Sequence, residues 1–187
     1  SDLIIRNVNV NNTRTGIIKI LNKMGSRIII SNRKIYKGEV IADISVKSKN
    51  NIKAIKCPKK LNSSAIDEFL IIFLVAAKAK GISHFYNLGE LNQKESPRLN
   101  IAVKFLKMIG VKVIRYKDNI KIFGNPNLSL NKTYKIKDFN KDHRVVMMSC
   151  VAALTLGGKW EINDSNSVNT SFPDFFKTIE KLGAKIK

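Results

Sequence analysis

The segment Asn140–Gly157 reads NKDHRVVMMSCVAALTLG, with Asp142, His143 and Arg144 standing directly against an apolar run. The run is apolar on nearly every face, which predicts a buried helix rather than an amphipathic surface one. Ser64–Gly81, SAIDEFLIIFLVAAKAKG, has the same plan of a polar start, an apolar helix and a closing glycine. A short strand-like segment follows each, ISHFYNL after Gly81 and KWEIND after Gly158. A second set of segments also ends alike: TGIIKILNKMG (Thr15–Gly25), PRLNIAVKFLKMIG (Pro97–Gly110) and FPDFFKTIEKLG (Phe172–Gly183). Each has apolar residues at helical spacing and an apolar–glycine pair suited to a helix C-terminal cap. Strand-like SRIIIS, VKVIRY or AKIK comes next.

The order is therefore buried helix, strand, second helix, strands, repeating every ~70–85 residues, and it predicts an α/β fold of pseudo-repeat units. The units run roughly 1–62, 63–125 and 126–187 within a single domain. The first is incomplete, because its opening LIIRNVNV corresponds to the strand after the buried helix. The chain is accordingly expected to be the C-terminal part of a longer one. Gly124–Lys137 is expected to form a loop and a strand joining the second unit to the third.

Composition narrows the function. The chain has 187 residues, 44% of them apolar, enough for a sizeable core. Its longest apolar stretch, Phe69–Ala77, is far short of the ~20 residues of a membrane span. The opening SDLIIR lacks the pattern of a secretory signal, so the expected compartment is the cytoplasm. Cys57 and Cys150 have no CxxC spacing, which argues against a zinc knuckle or a disulfide framework and predicts two buried or incidental thiols. A net charge of +20 favours polyanions, anionic lipids or small phosphorylated substrates without choosing among them.

Polar residues gather at three helix entrances. Ser64 with Asp67 three positions on has the form of a capping box. Ser96 followed by Pro97 has the form of an ordinary helix start, yet Lys94, Glu95 and Arg98 add two cations and an acid there. Arg144 in a first turn opposes the helix dipole, so an anion should offset it: either neighbouring Asp142 or a bound ligand. Together these stretches form an anion-binding constellation with carboxylates available for proton transfer.

The stretches IDEF, LGELNQKESPR, DHRVVM and VNTSFPDFFKTIEKLGAKI, in this order and spacing, resemble the C-terminal half of the 3-phosphoshikimate 1-carboxyvinyltransferase (EPSP synthase) family, as does NNTRTGIIKILNKMG near the start. The resemblance covers essentially the whole chain. It implies a two-domain enzyme whose domains each contain three βαβαββ-type units in an inside-out α/β barrel, with this chain as the C-terminal domain and its partner domain upstream. It also implies transfer of the enolpyruvyl group of phosphoenolpyruvate to shikimate 3-phosphate, with no cofactor and no metal. Carried over by motif, Asp67 is the base on the 5-hydroxyl and a shikimate-phosphate ligand, and Lys94 is a second contact to that substrate. Glu95 is the acid for the methylene carbon, Arg98 and Arg144 hold phosphoenolpyruvate, and His143 supports them. Two positions depart from the family pattern: Leu70 stands where proline is common, and Pro97 where an acid is common. Thr170 stands where some members carry a cation, and it receives no role.

Three rivals remain at this level. A basic nucleic-acid module would need exposed aromatics among its cations, and HFY at 84–86 is the candidate. A transferase acting on a UDP-sugar shares the fold and chemistry but fits the KES-x-R and DHR pair less well. An inert fragment is the third.

Overall fold

The computed structural model describes residues 2–47 and 52–186. The chain opens with β1 (Asp2–Asn9), α1 (Gly16–Lys23), β2 (Arg27–Tyr36) and β3 (Glu39–Lys47). Next come α2 (Phe69–Lys78), β4 (Gly81–Phe85), α3 (Arg98–Met108), β5 (Val113–Tyr116) and β6 (Asn119–Gly124). It closes with β7 (Leu130–Ile136), α4 (His143–Leu156), β8 (Gly157–Ile162) and α5 (Phe175–Lys181).

Two three-stranded antiparallel sheets share one topology, β1-β3-β2 and β4-β6-β5. In both, a helix separates the first strand from a hairpin that returns to pair with it. Around the apolar helices the pairing is parallel. β7 pairs with β8 across α4, and isolated bridges Lys53–Lys80 and Lys56–His84 make the same crossover around α2. This is a mixed α/β fold, in which parallel pairing occurs where a helix must intervene between strands.

The apolar helices occupy the centre. Phe69, Ile72, Phe73 and Ala76 of α2 are fully buried, and α2 packs against α1, α3 and α4. Phe69, Phe73 and Phe85 form one aromatic cluster with ring centroids 5.1–6.1 Å apart. Trp160 of β8 stacks on Phe105 and Tyr134, joining α3 to the β7–β8 pair. Phe85 is therefore a core residue, with only His84 and Tyr86 partly exposed beside it, so the HFY stretch is not the exposed aromatic platform a nucleic-acid reading needs.

The glycine caps take one form at three helix ends. After α3, Gly110 adopts φ +81° and donates to the Lys107 carbonyl at 3.0 Å, while Val111 donates to Leu106 at 2.9 Å. The same pair of bonds follows α1 at Gly25 and Ser26, and α5 at Gly183 and Ala184. These bonds satisfy carbonyls that would otherwise end the helix unpaired.

Four local expectations need correction. The helix expected from Ser64 is a 3-10 helix over Ser63–Glu68 before α2 begins. No capping box forms there: Ser64 Oγ donates to the Leu61 carbonyl at 3.2 Å, and Asp67 is drawn away by cations. Ser96 is not a cap either, because Pro97 precedes α3 and the Ser96 hydroxyl points to another helix. Finally, AKIK is not a strand over residues 184–186, and Lys187 lies outside the described residues.

Candidate active site

The starts of α2, α3 and α4 and the loop before α1 converge on one ionic cluster. Its innermost member is Arg98, the first residue of α3, with a side chain only 1% exposed. A guanidinium so buried must be matched by carboxylates, since unpaired burial of a charge is prohibitive. Three carboxylates surround it. Nε donates to Asp142 Oδ2 at 2.8 Å, Nη1 to Asp67 Oδ1 at 3.2 Å and Nη2 to Glu95 Oε2 at 2.5 Å. One rigid planar fork thus touches both Asp67 and Glu95 and sets their spacing.

Asp142 anchors that fork. Its side chain is fully buried, accepts from the Ser96 hydroxyl at 2.8 Å and caps α4 by accepting the Arg144 N–H at 3.0 Å. Burial alone would raise its pKa, but the hydrogen bonds from Arg98 and Ser96 and the Arg98 charge outweigh burial and hold it below the usual carboxylate range.

Asp67 sits at the mouth of the cluster, 18% exposed, with four cations around it. Arg14 Nη1 lies 2.9 Å from Oδ2, Arg98 Nη1 3.2 Å from Oδ1, Arg144 Nη2 3.7 Å from Oδ2 and Lys94 Nζ 4.0 Å from Oδ1. Burial opposes ionisation, but Arg144, Lys94, Arg98 and Arg14 together keep the Asp67 carboxyl below its ordinary pKa. Neighbouring Glu68 goes the other way. Burial pushes its pKa up more than Arg144, 3.7 Å away, pulls it down.

Arg144 finds its anion in an unexpected place. Asp142 caps its backbone, but its guanidinium reaches the 3-10 turn before α2, where Nη1 donates to the Asp67 carbonyl at 2.9 Å and the carboxylates of Asp67 and Glu68 each lie 3.7 Å away. With 29% of the side chain exposed, it retains an open face, as does Lys94 at 26%. Glu95 is the most open of the three acids on Arg98 at 57%. His143 starts α4 half-buried beside them, with no side-chain hydrogen bond found among the described residues. Leu70 is buried in the first turn of α2, and Thr170 Oγ1 donates to the Ser167 carbonyl at 2.9 Å.

All six motif residues, Asp67, Lys94, Glu95, Arg98, His143 and Arg144, therefore lie at neighbouring helix starts. Sequence reasoning missed Arg14, Glu68 and the Asp142–Arg98 pair. Arg14 carried the same signal as Arg144, a cation at a helix entrance. No group of three His, Cys, Asp or Glu among the described residues is placed to hold a metal ion. Cys57 and Cys150 are free and buried, their thiols pushed up to about 11 by burial, and they take no part in the cluster. No helix among the described residues is long and apolar enough to cross a membrane.

A repeated α/β scaffold whose helix starts bring cations and carboxylates together has the chemistry that anionic substrates and proton transfer call for. The family model of EPSP synthase (3-phosphoshikimate 1-carboxyvinyltransferase) matches residues 1–179, and the chain belongs to this family. It is 38% identical over its full length to the 3-phosphoshikimate 1-carboxyvinyltransferase of Zymomonas mobilis, and 36% identical over 97% of its length to that of Thermodesulfovibrio yellowstonii. It spans 42% and 41% of those proteins. Among solved structures it superposes on EPSP synthase from Acinetobacter baumannii with a TM-score of 0.90 at 33% identity, covering 100% of this chain and 42% of that one. The enolpyruvyl transferase NikO from Streptomyces tendae shares the fold at a TM-score of 0.68 and 15% identity, with 100% of this chain and 40% of that one covered. The curated relatives at 36–38% identity carry the name of the shikimate enzyme.

Proposed function

We propose that this chain supplies one domain of an enzyme that transfers the enolpyruvyl group of phosphoenolpyruvate to the 5-hydroxyl of shikimate 3-phosphate, releasing phosphate. The observation that carries the proposal is the pair Asp67 and Glu95 on two nitrogens of one buried guanidinium, bordered by cations with open faces. In the addition step the hydroxyl oxygen bonds to the central carbon of phosphoenolpyruvate, losing its proton, while the methylene carbon gains one. In the elimination step the methyl carbon returns a proton and the bond to phosphate breaks. Two carboxylates at fixed spacing suit both steps.

Asp67, kept ionised by its cations, takes the hydroxyl proton, and Lys94 beside it contacts shikimate 3-phosphate. Glu95 delivers the proton to the methylene carbon and later removes it. Arg144 meets phosphoenolpyruvate through its open face, with His143 alongside. Arg98 reaches the same substrate only at the edge where exposed Glu95 now sits, so substrate binding there would free Glu95 for its task. A second domain of the same protein would supply the remaining substrate contacts. The reading calls for no cofactor, nucleic acid or membrane, and its soluble anionic substrates suit the cytoplasm.

The test is phosphate release by the complete protein given both substrates, with two variants compared. Glu95→Gln should lower kcat by about 10²–10⁴-fold while largely keeping substrate affinity. Arg144→Ala should instead weaken phosphoenolpyruvate by ~2–5 kcal/mol. No phosphate release by the complete protein, or equal effects of both changes on binding and turnover, would overturn the reading.

A further inference from the structure

Gly16 opens α1 directly against the 3-10 turn that carries Asp67. A Cβ at Gly16 would lie 2.5 Å from Ser64 Oγ and 2.6 Å from the Ser64 carbonyl carbon, so the approach requires glycine. The loop ahead of it is folded by its own groups. Asn11 Oδ1 accepts from the Thr13 N–H at 3.0 Å and from the Thr13 hydroxyl at 2.9 Å, and the Arg14 N–H donates to the Asn11 carbonyl at 2.9 Å. Thr15 is buried. These contacts seat Arg14 over Asp67, with Nη1 donating to Oδ2 at 2.9 Å, the shortest of the four cation contacts to that carboxylate. The Arg14 side chain is 70% exposed, and ion pairs so open to solvent contribute little to stability. The contact makes more sense as placement of Asp67 than as support of the fold.

We propose that Arg14 is a positioning residue for Asp67, blocking rotation of its carboxylate and keeping it ionised for the substrate hydroxyl. The inference rests on the reading of Asp67 as the base. The charged groups facing Asp67 are Arg14 from the loop before α1, Lys94 ahead of α3, Arg98 of α3, Arg144 of α4 and Glu68 beside it. Removing one of four cations lets Asp67 hold its proton to higher pH, so a base in this role loses activity earlier on acidification.

The experiment compares the complete enzyme with its Arg14→Ala and Arg14→Lys variants, measuring kcat against pH and KM for each substrate. Arg14→Ala should lower kcat roughly tenfold or more. It should also move the acid limb of kcat to higher pH and leave KM for phosphoenolpyruvate within about twofold. Arg14→Lys should recover most of the loss. Unchanged kcat and acid limb would overturn the proposal. So would a raised KM for phosphoenolpyruvate at normal kcat, which would make Arg14 a substrate contact, or an equal loss at every pH that lysine does not rescue, which would make its role structural. An inactive parent enzyme would overturn the reading of Asp67 and this proposal with it.

Discussion

Arg98 and Asp142 form the most demanding pair in the molecule, because both side chains lie at most 1% exposed. Such pairs add little compared with apolar packing, but losing one partner strands the other charge in the interior. Asp142→Asn keeps one oxygen that can accept the Arg144 N–H, but it puts an amide NH2 where Oδ2 accepts from Ser96 and Arg98 and removes the charge that Arg98 needs most. It should cost about 3–5 kcal/mol of folding stability, read from urea unfolding near neutral pH. The pH dependence follows from the lowered pKa of Asp142. A carboxylate whose pKa is lower when folded contributes stability above its unfolded value, ~3.9, and that contribution is lost as pH falls through the folded value. The parent chain should therefore lose stability steeply below about pH 4, and the variant less steeply. Parallel acid slopes for the two would count against this assignment.

At the scale of elements, the glycines separate backbone needs from packing needs. Gly110 caps α3 at positive φ with open space where a Cβ would go, so Gly110→Ala meets only backbone strain of about 1–2 kcal/mol. Gly124 closes β6 against the end of α2. A Cβ there would sit 2.1 Å from the Ala79 carbonyl oxygen and 2.5 Å from that of Ala76. Gly124→Ala must push β6 off α2, and its loss of stability should exceed that of Gly110→Ala in the same unfolding measurement. Equal losses would show that β6 yields easily. The 3-10 turn Ser63–Glu68 follows similar logic. It precedes a helix that is apolar on almost every side, and it turns Asp67 and Glu68 out of the core toward the cations of α3 and α4.

For the molecule as a whole, the central helices and repeated sheets are expected to fold without the rest of the protein. The chain alone should give a cooperative unfolding transition, bind phosphate or sulfate only weakly, and release no phosphate from phosphoenolpyruvate and shikimate 3-phosphate. Neither substrate would be held in attack geometry by one domain, and the proximity advantage, about 7–11 kcal/mol of barrier, would be largely lost. Mixing with a separately expressed N-terminal portion should restore turnover. Full activity from this chain alone would refute the two-domain reading.

The α/β class, the repeat and the core of apolar helices were legible in the sequence, because runs such as Phe69–Ala77 leave no polar face and glycines mark helix ends wherever φ must be positive. The motif residues were legible too, as cations and acids at helix starts. Their pairing was not. Helical spacing says which residues share a face of one helix, but not which helix starts meet, so Ser64 and Ser96 read as caps although neither caps a helix. Only the tertiary structure brought Asp142 to Arg98 across 44 residues and Arg14 to Asp67 across 53. The physical reason is that a buried guanidinium draws carboxylates from whatever elements the packed core places within reach, and that choice belongs to the packing rather than to any local pattern.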